Sequence, residues 1–344
     1  MLSREYGCQA AYTPMLHAAN FATQKKYRQK NFSTCEEDRP LFVQFCANNA
    51  DILLSAAMHV QDVCDDIDIN LGCPQDIARR GRYGAFLQEE WRLIDEMVTK
   101  LRNNLKAELA VSCKIRRFDD LDKTVQYAKM LERAGCTFIG LHARTREQRG
   151  CKTGKADWSY IKAVKEHVRI PVIANGNVQS LKDAEDCLEY TGADAVMTAE
   201  GNLHNPALFQ NIHPPAWEMA WRYLDYVKKY PIPAGMAKSH LFKLFHRCVA
   251  IEDNADLRNQ LGQSTTLEQL YETVECFKKR YNKDDCDGLA IPISVLPVPP
   301  YLCQPRYRYD VIGSQGGVAI DKLEVESSDC LHIDGAEKRI KLSV

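Results

Sequence analysis

Residues 66–87 read D-I-D-I-N-L-G-C-P-Q-D-I-A-R-R-G-R-Y-G-A-F-L, and no other stretch limits the possible folds so strongly. Ile67 and Ile69 alternate with acids until the run stops at Asn70-Leu71-Gly72-Cys73-Pro74. Such alternation marks a strand, and the glycine and proline end it in a loop that begins with an amide and a thiol. Gly81, Gly84 and Ala85 then let backbone pass close to whatever the loop covers. A buried parallel strand delivering Asn and Cys at its carboxyl end is how barrel enzymes present reactive groups. The ordinary alternative is a free Cys packed as a small hydrophobe. The Asn-x-Gly-Cys-Pro context favours the reactive reading.

At 344 residues the chain holds one large core and a smaller unit. Its 14 cysteines include no C-x-x-C pair, which argues against a zinc site and a secreted disulfide framework and predicts a reducing compartment, the cytosol or nucleus. No apolar run approaches a membrane span, and Met1–Glu5 carries no secretory h-region. The net charge is −1, so any affinity for nucleic acid must come from local patches.

Apolar β-rich runs alternate with amphipathic segments, the pattern of βα units. Strands are predicted over Ala10–Met15, Leu41–Ala47, Ile67–Leu71, Leu109–Ile115, Thr137–His142, Pro171–Asn175 and Ala193–Thr198. Helices are predicted over Ile52–Val63, Glu90–Leu105, Leu121–Ala134, Trp158–Glu166 and Leu181–Tyr190, with Gly135 and Gly192 at C-caps and Ser180-x-x-Asp183 as an N-terminal cap. A closed (β/α)8 barrel needs an eighth strand. Residues 1–8 read as the end of a helix closed by Gly7, so the expectation is an α/β fold, a (β/α)8 TIM-type barrel lacking its first strand, with exposed edges flanking the gap. An open seven-stranded sheet, or a strand borrowed from elsewhere, is the alternative. The barrel is assigned to residues 1–212 and a helical domain to 213–283, with Thr265-x-x-Glu268 as the capping box of its last helix. Residues 284–344 are expected to be mostly disordered, with P-V-P-P-Y-L-C-Q-P packing locally.

The strand tips carry a consistent set of polar groups: Gln44, then Asn70 and Cys73, Lys114, His142 with Arg144, Asn175-Gly176-Asn177, and Ala199-Glu200-Gly201. Polar groups at successive carboxyl ends converge on one mouth. The glycine-containing turns after the last two strands suit a phosphate. Lys114 lies in an apolar strand, where an unpaired ammonium is costly and calls for an anion. Taken singly, Lys114 could be a strand-end salt bridge and His142 a satisfied core histidine. Basic clusters at Lys25-Lys26-x-Arg28-x-Lys30, Arg79-Arg80-x-Arg82, Arg116-Arg117 and Arg144-x-Arg146-x-x-Arg149 fall on the predicted rim, and Lys278-Lys279-Arg280 on the last helix. Such runs are often only solvated faces, but together at one barrel end they fit a phosphate-tracking surface.

With these motifs in hand, residues 1–305 resemble the tRNA-dihydrouridine synthases, most closely their eukaryotic branch acting on paired D-loop uridines. The resemblance rests on D-I-N-L-G-C-P-Q-x-I-A-x-R-G-x-Y-G-A-F-L, L-H-A-R-T-R-E-Q, I-A-N-G-N-V and V-M-T-A-E-G-N-L-H-N-P-A-L-F. It implies reduction of the uracil C5–C6 double bond in tRNA, with FMN as hydride carrier and NADPH as reductant, by a monomer without metal or membrane attachment. It places Cys73 as the acid for C5, Lys114 against the flavin ring and Gln44 at the ring edge. His142, Asn175, Gly176, Asn177, Ala199 and Glu200 fall at flavin and phosphate positions. Asn70 and Arg144 are then candidates for holding uracil, and Arg80, Arg82 and Arg146 for contacting the RNA. Many relatives have Gly-Arg where this chain has Ala199-Glu200, so backbone amides must serve a phosphate here. The family's first strand bears a Pro-Met flavin contact. Thr13-Pro14-Met15 imitates it but follows what aligns as the second strand, so the contact is not carried over. Two rivals stand beside this reading: a flavin oxidoreductase acting on a small pyrimidine, and a non-catalytic RNA-binding remnant.

Overall fold

The computed structural model describes residues 1–282, 291–292 and 298–306. The chain opens with α1 (Leu2–Glu5), followed by two strand fragments, β1 (Ala11–Tyr12) and β2 (Leu16–His17). The single strand predicted over 10–15 is thus broken at Thr13-Pro14. Pro14 has no N–H to give a ladder. Thr13 repairs the break, its N–H donating to Phe42 O at 2.9 Å and its Oγ1 accepting from the Gln44 N–H at 3.0 Å.

After α2 (Ala18–Thr23) and α3 (Lys25–Asn31), strands and helices alternate: β3 (Leu41–Cys46), α4 (Ala50–Met58), β4 (Asp66–Leu71), α5 (Asp76–Gly81) and α6 (Trp91–Asn104). Then come β5 (Ala110–Arg116), α7 (Leu121–Arg133), β6 (Phe138–His142), α8 (Ser159–His167), β7 (Val172–Asn175), α9 (Leu181–Thr191) and β8 (Ala195–Met197). The Ser180–Asp183 capping box of α9 forms as the sequence predicts, and Gly192 closes that helix in the left-handed conformation. The ladders are all parallel in the order β1-β3-β4-β5-β6-β7-β8, with β2 beside the far end of β3. Counting β1 and β2 as one interrupted strand, seven parallel strands with their helices form an open TIM-like half-barrel.

Among the described residues no ladder joins β8 to β1. A cavity of about 850 Å³ lies between them, lined by Tyr12, Phe42, Leu188, Val196, Phe209 and Tyr226 among others. Burial follows this geometry: every residue of β4 is buried, whereas β1 and β8 are only half-buried.

Register stacks the inward side chains in layers. Gln44, Asp68 and Ser112 share one level. Asn70, Lys114 and Gly140 share the next. Arg116, His142, Asn175 and Met197 share the level at the carboxyl mouth. The apolar face of the same strands packs Ile67, Ile69, Val111, Ile115 and Leu141 against the helices.

Beyond α10 (Glu200–His204), β9 (Ile212–His213) pairs antiparallel with β10 (Ile291–Pro292). Five helices follow β9: α11 (Ala216–Lys229), α12 (Ala234–Leu244), α13 (His246–Ala250), α14 (Ala255–Gln263) and α15 (Leu267–Tyr281). Their core holds Trp217, Leu241, Phe245, Leu261 and Phe277. The α15 capping box sits one residue later than the sequence suggests, at Thr266 with Gln269 as its reciprocal partner. Gln269 can reach back to the Thr266 N–H because it lies at the third helical position.

Two segments join this bundle from outside the 213–283 boundary. Leu2 and Tyr6 pack against its core, and Tyr226 Oη donates to Glu5 Oε1 at 2.6 Å. Residues 298–306 dock on it as well, with Cys303 fully buried and the Tyr301 ring stacked 5.4 Å from Trp217. Local packing of that proline-rich stretch is therefore present. Within the segment expected to be disordered, Ile291–Pro292 also pair with β9, and the remaining residues lie outside the described ones.

Candidate active site

The alternation of D-I-D-I-N-L sends Asn70 into the barrel as β4 ends. Asn70 Oδ1 accepts from the N–H groups of Gly72 at 3.1 Å and Cys73 at 2.9 Å, an Asx-type turn that folds the loop back over the strand tip. Cys73 O accepts from Ala85 N at 3.1 Å. Gly84 permits that approach, since a Cβ there would sit 2.7 Å from Cys73 O and its φ is +64°. From the other side Arg116 Nε donates to Gly72 O at 2.8 Å, and Arg149 Nη1 donates to Pro74 O at 2.6 Å. The thiol is half-buried, and burial pushes its pKa up against the opposing pull of the Gln75 N–H, Arg116 and Arg149. It therefore holds its proton at neutral pH.

One strand over, Lys114 is only 7% exposed, and its Nζ donates to Asn175 Oδ1 at 2.9 Å, its one hydrogen-bond partner among the described residues. Gly140 leaves the room for its stem, since a Cβ there would meet Lys114 Cδ at 2.7 Å. Burial, then the neighbouring Arg116, lowers the Lys114 pKa to about 7, with Asp68 opposing. His142 Nε2 lies 3.1 Å from Arg144 Nη1. Arginine only donates, so this nitrogen accepts and the imidazole is neutral with its hydrogen on Nδ1. Burial and the surrounding Lys114, Arg116 and Arg144 charges hold its pKa well below the usual value, in agreement. Asn175 Nδ2 donates to Met197 O at 2.9 Å, which ties β7 to β8. Gly176 and Asn177 both have positive φ, and Asn177 Oδ1 accepts from Arg144 Nη2. Ala199 precedes α10, and Glu200, its first residue, lies 3.8 Å from His204 Nε2.

Several of the expected site residues have partners within the protein. Asn70, expected to hold uracil, shapes the loop with its oxygen, and its Nδ2 donates to Gln44 Oε1 at 2.7 Å. Gln44, expected at a ring edge, is 2% exposed, and its Nε2 donates to Asp68 Oδ2 at 2.8 Å. Arg144 is buried and joins His142, Asn177 and Gly154 O. Arg116 leaves the rim as well and ties the Cys73 loop to Thr145 O. Arg28 caps α2 through Phe21 O, and Arg280 pairs with Asp256, so these two arginines are engaged within the protein. Arg79, Arg80 and Arg82 do remain exposed beside the loop. Arg146 lies over the Phe86 ring at 5.3 Å and pairs with Glu147.

Sequence reading also missed residues. Asp66, Asp68 and Ser112 all face the barrel interior. Counting by twos from Asn70 and from Lys114 would have found them.

A half-barrel whose strand tips bring a buried ammonium, a neutral imidazole, three arginines and a protonated thiol to one end is the arrangement of a barrel enzyme that works on an anionic partner. The comparisons narrow the class. The chain belongs to the dihydrouridine synthase family, whose model matches residues 1–282. It is 48% identical over 313 residues to a tRNA-dihydrouridine(16/17) synthase (NAD(P)(+))-like protein of Rattus norvegicus, covering 90% of this chain and 70% of that one. The protein of the same name in Mus musculus is also 48% identical, and there the match spans 65% of its length. The tRNA-dihydrouridine(16/17) synthase (NAD(P)(+)) of Saccharomyces cerevisiae is 45% identical over 341 residues, 90% of this chain and 80% of that one. No helix among the described residues is long and apolar enough to cross a membrane.

Proposed function

We propose that this chain reduces uridine to 5,6-dihydrouridine in the D-loop of tRNA, with FMN as cofactor, NADPH as reductant and Cys73 as the proton donor to C5. The observation that carries the reading is Lys114: a buried ammonium at the barrel mouth with a single neutral hydrogen-bond partner, flanked by Arg116 and a neutral His142. A buried cation whose opposing charge, Asp68, lies outside ion-pair contact is costly and is relieved by a further anion. The residues present fit a flavin nucleotide. Lys114 would face the electron-rich ring. The His142 Nδ1–H and the Gly176–Asn177 turn would hold the phosphate side, with the Ala199–Glu200 backbone beside them. When bound, FMN supplies the hydride that adds to C6 of the base.

Cys73 supplies the other half. Burial keeps the thiol protonated, and Arg116 and Arg149 favour the thiolate left once the proton has gone to C5. Solvent then restores the S–H bond, so the residue ends each turnover unchanged. The base must leave the RNA stack to reach this mouth. Arg79, Arg80, Arg82 and Arg146 beside the loop are suited to the flanking phosphates. Such an enzyme would work in the cytosol or nucleus.

The test is a pair of half-reactions on the purified protein. A yellow preparation reduced by NADPH and reoxidised by unmodified tRNA, but not by free uracil or orotate, supports the proposal. A colourless protein with no affinity for FMN sinks it, and reoxidation by a free pyrimidine favours a small-molecule flavin oxidoreductase. Cys73→Ala is expected to bind FMN and lose about 10²- to 10⁴-fold in tRNA-dependent reoxidation.

A further inference from the structure

Asp66 and Asp68 lie below Asn70 on the inward face of β4, both fully buried. On β5, Ser112 Oγ is 2.5 Å from Asp66 Oδ2 and 2.8 Å from Asp68 Oδ1. A serine hydroxyl has one hydrogen, and an ionised carboxylate only accepts. Two ionised aspartates would therefore leave one of these contacts acceptor against acceptor, with like charges repelling in a poorly screened interior. The remaining bonds say which residue holds the proton. Asp68 Oδ2 accepts from Gln44 Nε2 at 2.8 Å, Gln44 Oε1 accepts from Asn70 Nδ2 at 2.7 Å, and Asn70 Oδ1 accepts from Cys73 N at 2.9 Å. Traced inward from Cys73, each donor points toward Asp68. If the proton sat on Asp68 Oδ1 and Ser112 turned its own hydrogen to Asp66, the charge would rest on Asp66, whose one donor is Ser112. With the proton on Asp66 Oδ2, Asp66 donates to Ser112, Ser112 donates to Asp68, and the charged carboxylate has two donors, Gln44 and Ser112.

We infer that Asp66 is a neutral carboxylic acid buried in the folded protein and Asp68 its ionised partner, and that this pair, through Gln44 and Asn70, is the positioning device that shapes the Cys73 loop. A second observation agrees. Asp66 Oδ1 is buried without a hydrogen-bond partner among the described residues, which is costly for a carboxylate and much less so for the carbonyl oxygen of a neutral acid. The surroundings point the same way. Tyr12 on β1, Cys113 on β5 and Cys136 ahead of β6 contribute no positive charge, and Asp65 is paired with Arg39. Lys114 alone is cationic, and it acts on Asp68. Burial and the Asp68 charge hold the Asp66 carboxyl well above its ordinary range, whereas burial raises Asp68 only to about 7 against Gln44, Ser112 and Lys114. Asp68 thus releases its proton first. Below that pH it regains the proton, and the donor chain to the loop loses its anchor.

The protonation assignment stands on the hydrogen-bond geometry, and only its consequence for catalysis rests on the proposed reaction. Infrared spectroscopy of the purified protein above pH 7 reads the carbonyl stretch of a buried carboxylic acid. The band is expected in the wild type, absent in Asp66→Asn, and shifted but present in Ser112→Ala, which removes the acceptor and leaves the acid. A wild type without the band, or a band unaltered in both variants, overturns the assignment. For the loop, Asn at position 66 can still donate to Ser112, whereas Asn at 68 places a donor where two acceptors are needed. Asp68→Asn is expected to slow tRNA-dependent flavin reoxidation on the order of 100-fold while leaving NADPH-dependent flavin reduction nearly intact, and Asp66→Asn to lose far less. Equal losses in the two variants, or equal losses in both half-reactions, would refute the positioning role. A wild type inert toward tRNA would count against the reaction, and the infrared result would still decide the proton.

Discussion

The barrel and the helical bundle bury their interiors equally well but with opposite chemistry. Inside the barrel, Gln44, Asp66, Asp68, Ser112 and Lys114 are each at most 7% exposed. Inside the bundle, Trp217, Phe245 and Phe277 are at most 1% exposed, and the Phe245 and Phe277 rings stack 4.3 Å apart. A bundle core of this kind is held by shape and apolar area, so each side chain contributes by filling space. The barrel interior is held by partners: Ser112, Asp68, Gln44 and Asn70 are tolerable because each bonds the next, and that chain ends at the Cys73 loop. The same chain therefore carries one core that tolerates little loss of volume and another that tolerates little loss of a donor or acceptor.

Four measurements probe this contrast, in descending order of expected effect. Phe277→Ala should cost about 3–5 kcal/mol in chemical denaturation, because it empties space among close-packed apolar side chains. A loss below about 1 kcal/mol would mean that this core does not depend on filled space. Gly176→Ala should cost about 1–3 kcal/mol and weaken FMN affinity, since the φ is +113° and the new Cβ would sit 2.7 Å from Ala156 Cβ. A variant as stable as the wild type would show that this turn is not constrained. Thr266→Ala should cost about 1 kcal/mol through loss of the α15 cap and leave the barrel site untouched. The smallest effect is a slope. Lys114 has a folded-state pKa lowered to about 7, so from there up to its ordinary range the unfolded chain binds the extra proton. Its contribution to stability accordingly rises with pH across that window. Lys114→Met should flatten the rise, which thermal melts across the window would show, and an unchanged slope would mean that the ammonium is better compensated than its single partner suggests.

Much of this could be read along the chain. Residues 66–71 alternate so cleanly that strand, inward face and terminal loop follow without any coordinates. The capping box at Ser180–Asp183 likewise announces where α9 begins. Thr13-Pro14 was harder, because the proline's missing N–H is visible in sequence while the threonine hydroxyl that compensates for it is not. Arg116 and Arg117 look alike as a basic pair. Only the inward register of β5 sends Arg116 to Gly72 O, while Arg117 lies over the Tyr160 ring at 4.2 Å.

What the sequence determined by itself is the order of elements and the identity of the side chains at the strand tips, because period-two burial and turn chemistry are local properties. What the tertiary structure alone decided is which of those side chains are free to act. Asn70, Gln44 and Arg144 are committed to neighbours 26, 24 and 33 positions away along the chain, and such partners exist only once the strands are in register. Hydrogen-bond capacity is finite, so a residue's availability depends on who stands opposite it, and parallel packing of distant strands sets that.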